Sequence, residues 1–174
     1  MACVATISPF TTPECPDEKG RVVGLAFIHK NVHAAILADP SNPAVWADGS
    51  YAADLTVFKS VRGTYDGGSA VTVSGVVNQD TRTINADRSL TVQVQGVKGN
   101  EGFWDDIRKS SNYYVAFVVG GDYSLLFINN KNVNVFAGSP VEEGLDTEIT
   151  WNVSVTWKEA NNPKSSTVPA GIFN

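Results

Sequence analysis

Residues 149–157 read ITWNVSVTW, and this stretch decides the fold class. Apolar and polar side chains alternate in it without exception, and the apolar positions are Ile149, Trp151, Val153, Val155 and Trp157. A period of two is typical of a β-strand that buries one face and exposes the other. The stretch therefore predicts a long, half-buried strand.

Further strands are predicted upstream of this one. Residues 71–77 and 90–95 alternate in the same way, with Gly75 as a candidate β-bulge. Residues 113–119 and 123–128 are apolar runs on either side of a Gly-Gly-Asp turn, which is typical of a hairpin. Together with shorter runs near residues 22–28, 55–58 and 133–136, they predict a mainly β protein. We expect an antiparallel β-sandwich or barrel.

The rest of the chain supplies one helix, one long loop and two arms. Residues 101–110 predict a short helix that flanks the sheet, since acidic residues come early in it and basic residues late. Residues 31–37 fit either a strand or a short helix, and residues 39–68 carry turn chemistry that predicts a long internal loop. The predicted organisation is an N-terminal arm (1–20), a β-domain (21–158) and a C-terminal arm (159–174).

Length and charge limit the classes of function. The chain has 174 residues, a net charge of −5 and a charged fraction of only 18%. This length fits a single domain, and the absence of a basic run argues against a protein that grips nucleic acid. Mild acidity instead suits a surface past which a polyanion slides. With no secretory signal and no apolar stretch of membrane-spanning length, we expect synthesis in a cytoplasm and no membrane anchor.

Catalytic and metal-binding patterns are weak in this sequence. His29 and His33 are four residues apart, but we interpret them as ordinary polar histidines, since no Glu lies between them. Asp105 and Asp106 are adjacent and diverge on a helix, so they do not form an acid–base pair. Cys3 and Cys15 form neither a disulfide framework nor a metal motif. We therefore predict a protein that is not an enzyme and has no cofactor.

An acidic cluster precedes the long final strand. This cluster lacks the ordered ligand spacing of an EF-hand loop. Two interpretations remain: a solvated acidic loop, or a negatively charged patch that faces a channel or a partner. Its members are Glu142, Glu143, Asp146 and Glu148.

The order of these elements resembles the tail tube proteins of tailed bacteriophages, whose plan is shared by the inner tubes of contractile injection systems. The elements that carry the resemblance are the N-terminal arm, the long loop, the single short helix and the closing β-meander. The closest likeness lies in residues 139–157, where an acidic turn leads into a long final strand. The resemblance covers about residues 20–158 and rests on element order, because no signature motif is present.

The resemblance implies a virion structural protein located in the phage tail. Its subunits would form hexameric rings that stack into a tube, contact other tail proteins and let DNA pass without specific binding. The loop at 39–68 would contact the neighbouring ring. The candidate residues for this contact are aromatic: Trp46, Tyr51, Phe58 and Tyr65. Polar residues are expected to line the channel or face solvent, and the candidates are Gln93 and Gln95, the polar positions of 152–156, and the acidic cluster.

Two other roles fit the same sequence. A head-decoration or head–tail connector subunit would also be β-rich and would not catalyse a reaction. A carbohydrate- or receptor-binding module would use exposed aromatic side chains, for which Trp46, Tyr51 and Tyr65 are the candidates.

Overall fold

The computed structural model describes residues 21–73, 82–95, 99–120, 124–129, 133–138 and 150–173. The strands are β1 (Arg21–His29), β2 (Leu55–Phe58), β3 (Arg62–Val73), β4 (Arg82–Gln95), β5 (Tyr113–Gly120), β6 (Ser124–Phe127), β7 (Asn134–Gly138), β8 (Thr150–Glu159) and β9 (Lys164–Thr167). The helices are α1 (Lys30–Ala38), α2 (Pro43–Trp46) and α3 (Glu101–Lys109), with a 3-10 turn at Gly49–Tyr51.

The strands form one antiparallel sheet in the order β7-β8-β4-β3-β1-β5-β6-β9, and β2 pairs with β1 beside β3. The predicted mainly β, antiparallel class is confirmed. Over the described residues the sheet does not close into a barrel. It is sandwich-like, because two halves of it enclose a common core.

In the described sheet the two halves are joined by a single ladder pair, Val22 on β1 and Gly63 on β3, next to which the Val61 N–H donates to the Val23 carbonyl at 3.1 Å. We call β7, β8, β4 and β3 half A, and β2, β1, β5, β6 and β9 half B. Buried residues from both halves share the larger core; on half A these include Val92 and Val153, and on half B Phe27. Packing of one face of each half against the other therefore holds the domain together.

A second core lies on the opposite face of half B. Strand β1 alternates between the cores, since Phe27 belongs to the first and Ile28 to the second. Helices α1 and α2 cover this second core with Ile36 and Trp46. The molecule thus has three layers: helices, half B and half A.

Helix α3 confirms the helix predicted at 101–110, and the ambiguous stretch at 31–37 is helical. His29 is the N-cap residue of α1, and its side chain accepts a hydrogen bond from the Asn31 N–H at 3.4 Å. Val32 and Ile36, one helical turn apart, are both buried against half B. This contact with the sheet selects the helix, which local sequence alone left open.

The predicted loop at 39–68 contains more regular structure than its turn residues indicate. Asn42 and Asp48 cap α2 and the 3-10 turn by accepting hydrogen bonds from backbone N–H groups two residues later. Pro43 occupies the first turn of α2, a position that proline tolerates. Asn, Asp and Ser are typical both of turns and of helix N-caps. The sequence pattern therefore does not distinguish an irregular loop from short capped helices.

The turn signal at residues 65–68 is a β-bulge within β3. The pairing of β3 with β4 shifts register between Asp66 and Ser69. Gly68 has a φ of +93°, and its N–H donates to the Asp66 carboxylate at 2.9 Å. The bulge bends the strand without ending it.

The C-terminal segment, predicted as an arm, contributes to the sheet and to the second core. Strand β9 pairs with β6 over four residues. Phe173 is buried, and its ring lies 5.4 Å from that of Trp46. Its ring fills the space beside Gly24, where a Cβ atom would lie 2.6 Å from it. The predicted N-terminal arm (1–20) and the bulge at Gly75 lie outside the described residues.

Candidate functional site

The outward side of half A carries an exposed polar surface. On β4 and β8 every second residue is buried in the first core, so the residues between them face outward. Cross-strand pairing places Gln93 beside Asn152, and Thr91 beside Ser154. We call this surface the polar face, and its central members are Thr91, Gln93, Gln95, Asn152, Ser154 and Thr156.

Charges on the polar face are few and balanced among the described residues. Arg62 and Asp66 on β3 are cross-strand partners of face residues on β4. Asp87 and Lys158 pair across β4 and β8, with Nζ 3.3 Å from Oδ1. The two positive and two negative groups described on this face therefore balance.

Among the described residues, half A has strands without a further pairing partner on both sides. In the described sheet β7 is an outermost strand, and β3 forms a ladder pair with β1 only at Gly63, so no described strand pairs with β3 on that side from Thr64 onward. Phe136 on β7 is 61% exposed and is the only large apolar side chain that is exposed among the described residues. Strand edges without a pairing partner are typical of a surface that can join another chain.

The hairpin of β3 and β4 extends beyond the rest of half A. The last pair between β4 and β8 is Ala86 with Glu159, whereas β3 and β4 remain paired as far as Val73 and Arg82. Residues 66–70 are exposed. The described part of this hairpin therefore projects past the last pair of β4 with β8.

A buried arginine, Arg88, lies at the base of this hairpin among aromatic and polar side chains. Arg88 is only 7% exposed, and its Nη1 donates to the Tyr65 hydroxyl at 3.0 Å. Tyr65 also stacks on Trp157, with ring centroids 6.0 Å apart. A cavity of about 550 Å³ opens here, and its described lining includes Arg88, Trp157, Asn134 and Thr156.

Helix α3 and neighbouring strands form an aromatic pocket at the other end of the first core. Phe58 stacks on Trp104 at 5.5 Å, and Trp104 lies 6.0 Å from Trp151. The pocket has a volume of about 140 Å³, and Gln95 and Asn100 also line it. Its size suits one ring or branched side chain, which makes it a minor site.

The four aromatic residues predicted at the inter-ring loop have packing roles in the structure. Trp46 is buried and donates to the Pro40 carbonyl at 2.9 Å, and Tyr51 packs beside it on the second core. Phe58 and Tyr65 pack on the first core. Trp46 is buried, and Tyr51, Phe58 and Tyr65 are half-buried in these contacts.

The two histidines lie on separate contacts. His29 Nδ1 is 3.3 Å from Asp54 Oδ1, whereas the His33 ring stacks flat on Tyr114 at 3.6 Å. Burial lowers the pKa of His33. No group of three or more metal-binding side chains occurs within the described part of the chain.

Gln93 and Gln95 lie on the polar face as the sequence predicts, whereas the acidic cluster (Glu142, Glu143, Asp146 and Glu148) lies outside the described residues. Sequence reasoning missed Arg88 and Phe136. The alternation of β4 could have indicated the burial of Arg88. Arg88 is two residues before Leu90, and Leu90, Val92 and Val94 lie on the buried face.

Comparison with protein-family models, curated proteins and solved structures found no match to this chain. In the described residues, none of the helices has both the length and the apolar character needed to cross a membrane.

Proposed function

We propose that this chain is a virion structural subunit that assembles into rings, which stack as the tail tube of a bacteriophage and conduct DNA. The observation that carries the proposal is half A, an antiparallel four-stranded sheet with a polar outer face, in which β7 and most of β3 have no further pairing partner among the described residues. Such a unit repeats around a ring without leaving any open edge.

Strand direction supports this closure. Each strand of half A runs antiparallel to the next, so β3 and β7 at its two sides run in opposite directions. Rotation about an axis roughly along the strands brings β7 of one copy beside β3 of the next as an antiparallel pair. Phe136, which is the cross-strand partner of Ser154 and is exposed on the polar face, would then lie beside the junction between copies.

The size of such a ring suits DNA. Four strands from each of six copies, spaced about 4.8 Å apart, give a closed sheet roughly 37 Å across before strand tilt. This leaves room for a DNA duplex between inward-facing polar side chains. The six-fold number comes from the resemblance to tail tubes, and the polar face supplies the inner surface.

The projecting hairpin supports stacking of the rings. It extends beyond β8 at the end of half A that carries Glu159. In a head-to-tail stack this end meets the opposite end of the next ring, where β8 begins at Thr150. The backbone of β3 and β4 beyond the last pair of β4 with β8 can therefore bridge two rings.

The test is assembly of the purified full-length protein, followed by negative-stain electron microscopy and light scattering. We expect rings of uniform diameter and tubes made from them. A stable monomer or trimer at every concentration would contradict the tube and would favour a head-decoration subunit.

A charge at the edge of half A tests the mode of closure. Phe136→Asp should abolish rings, because it places a carboxylate at the junction between copies. Thr91→Asp is the matched control, since it adds the same charge to an exposed position on a central strand. Rings from both variants would show that β7 does not form the junction.

A further inference from the structure

The aromatic pocket at the end of the first core has a buried floor and a polar rim. Val94, Trp104 and Trp151 form the floor, and each of them is less than one tenth exposed. Gln95 and Asn100 also line the pocket and are exposed, so they form the rim at which the pocket meets solvent. A molecule that passes the rim therefore leaves water and contacts mainly apolar atoms.

Rings from three elements surround this pocket. Phe58 of β2 stacks on Trp104 of α3, with an angle of 14° between the ring planes. Phe103, also on α3, meets both of these rings edge to face, at 5.8 Å from Phe58 and 5.0 Å from Trp104. Trp151 of β8 contributes the lining from half A. Because aromatic rings attract one another in stacked and edge-to-face arrangements, this lining favours a further ring.

The volume of the pocket limits its occupant to a single ring. The pocket encloses about 140 Å³. In another protein, an apolar cavity of roughly 150 Å³ binds one molecule of benzene. A ligand of this pocket is therefore monocyclic.

Trp151 brings a hydrogen-bond donor without a partner to the pocket. Its indole Nε1–H is buried and has no hydrogen-bond acceptor. A buried donor without an acceptor is costly in free energy, and a ligand that supplies the acceptor removes this cost. The pocket therefore favours a ring with an acceptor over a plain hydrocarbon.

We propose that this pocket binds a small monocyclic aromatic molecule whose ring carries a hydrogen-bond acceptor. The acceptor binds the Nε1–H of Trp151, and the ring contacts Phe58, Phe103 and Trp104. The site lies within one subunit and is built from described residues of both halves and α3. It goes beyond the proposed function and does not depend on the formation of rings or tubes.

Benzene and pyridine test the recognition directly, because they have the same size and differ in one acceptor nitrogen. Each is titrated into the full-length protein below its assembly concentration, at about pH 8, where pyridine is uncharged. Binding is followed by nuclear magnetic resonance through the indole N–H signals of the four tryptophans. We expect saturable binding of both rings, with pyridine bound about tenfold more tightly than benzene.

Two matched variants assign the hydrogen bond. Trp151→Phe keeps an aromatic ring and removes the N–H, so the two probes should then bind alike. Trp157→Phe is the control, because the Nε1–H of Trp157 is also buried without a partner but Trp157 is not among the described residues that line this pocket. This variant should keep the tenfold preference for pyridine. A preference that survives in Trp151→Phe would overturn the inference.

Thr56→Phe tests the location of the site. Thr56 lines the pocket and lies on the same face of β2 as Phe58, so the added ring occupies the volume that the ligand needs. Binding of both probes should be lost while the indole signals of the folded protein remain. Binding that is unchanged in this variant would overturn the location. Equal affinities of the two probes for the unmodified protein, or no saturable binding of either, would overturn the site.

Discussion

At the residue scale, Gly68 shows how one backbone conformation fixes the shape of a strand. Its φ of +93° is in the region that favours glycine, and a methyl group there would overlap the carbonyl of Asp87. Gly68→Ala should therefore lower the free energy of unfolding by about 2 kcal/mol or more. Gly67→Ala is the control, because nothing lies within 4 Å of the added atom. Urea unfolding of both variants measures the difference, and equal losses would contradict the assignment.

His33 gives the fold a predictable response to pH. Burial lowers its pKa below the ordinary 6.5, so the unfolded chain binds the proton more readily than the folded protein. The stability due to neutral His33 is therefore fully present above pH 6.5 and is lost as pH falls toward the lowered folded pKa. His33→Phe keeps a flat ring on Tyr114 and should reduce the loss of stability between pH 7 and 5.5. Denaturant midpoints across this range measure it, and an unchanged pH dependence would contradict the role.

At the element scale, Phe173 holds the C-terminal segment and β9 against half B. Its ring fills the space beside Gly24 and contacts Trp46. Phe173→Ala should lower the free energy of unfolding by about 3 kcal/mol and speed hydrogen exchange in β6, which pairs with β9. Phe136→Ala, at an exposed position, should change stability by less than about 0.5 kcal/mol. Unchanged exchange in β6 would mean that β9 stays in place without Phe173.

The elements with a strict local period were predictable from sequence. Strand β8 buries Trp151, Val153, Val155 and Trp157 as its alternation indicates. The role of the C-terminal segment was not predictable, because Pro163 and Pro169 are typical of an arm and the pairing of β9 depends on a strand some 40 residues earlier. Long-range contacts of this kind leave no local pattern.

The candidate site also has parts that local sequence predicts and parts that depend on long-range contacts. Gln93 and Gln95 could be placed on an exposed face from alternation alone. The edge that β3 presents in the described sheet could not be predicted, because it results from the single ladder pair between Val22 and Gly63. The pocket at Arg88 depends on which strands become neighbours, and sequence fixes this only through the whole fold.

At the scale of the whole molecule, the three layers give a ring two different surfaces. If β3 and β7 join neighbouring copies with the polar face inward, half B and the helices form the outside. Ala34 and Ala35 on α1 are exposed and lie in the helical layer, whereas Gln93 and Gln95 lie on the opposite side. Paired lysine substitutions at these two places therefore report which surface lines the channel.

The double variant Gln93→Lys, Gln95→Lys should assemble normally and give tubes that retain a short linear DNA duplex but not a closed circular plasmid, which cannot enter a tube. Retention should weaken strongly between about 50 and 200 mM salt, since the binding is to phosphate. The control Ala34→Lys, Ala35→Lys should bind both DNA forms alike. Co-sedimentation of each DNA with the tubes measures this. Equal retention of plasmid and duplex by the Gln93/Gln95 variant would place the polar face on the outside.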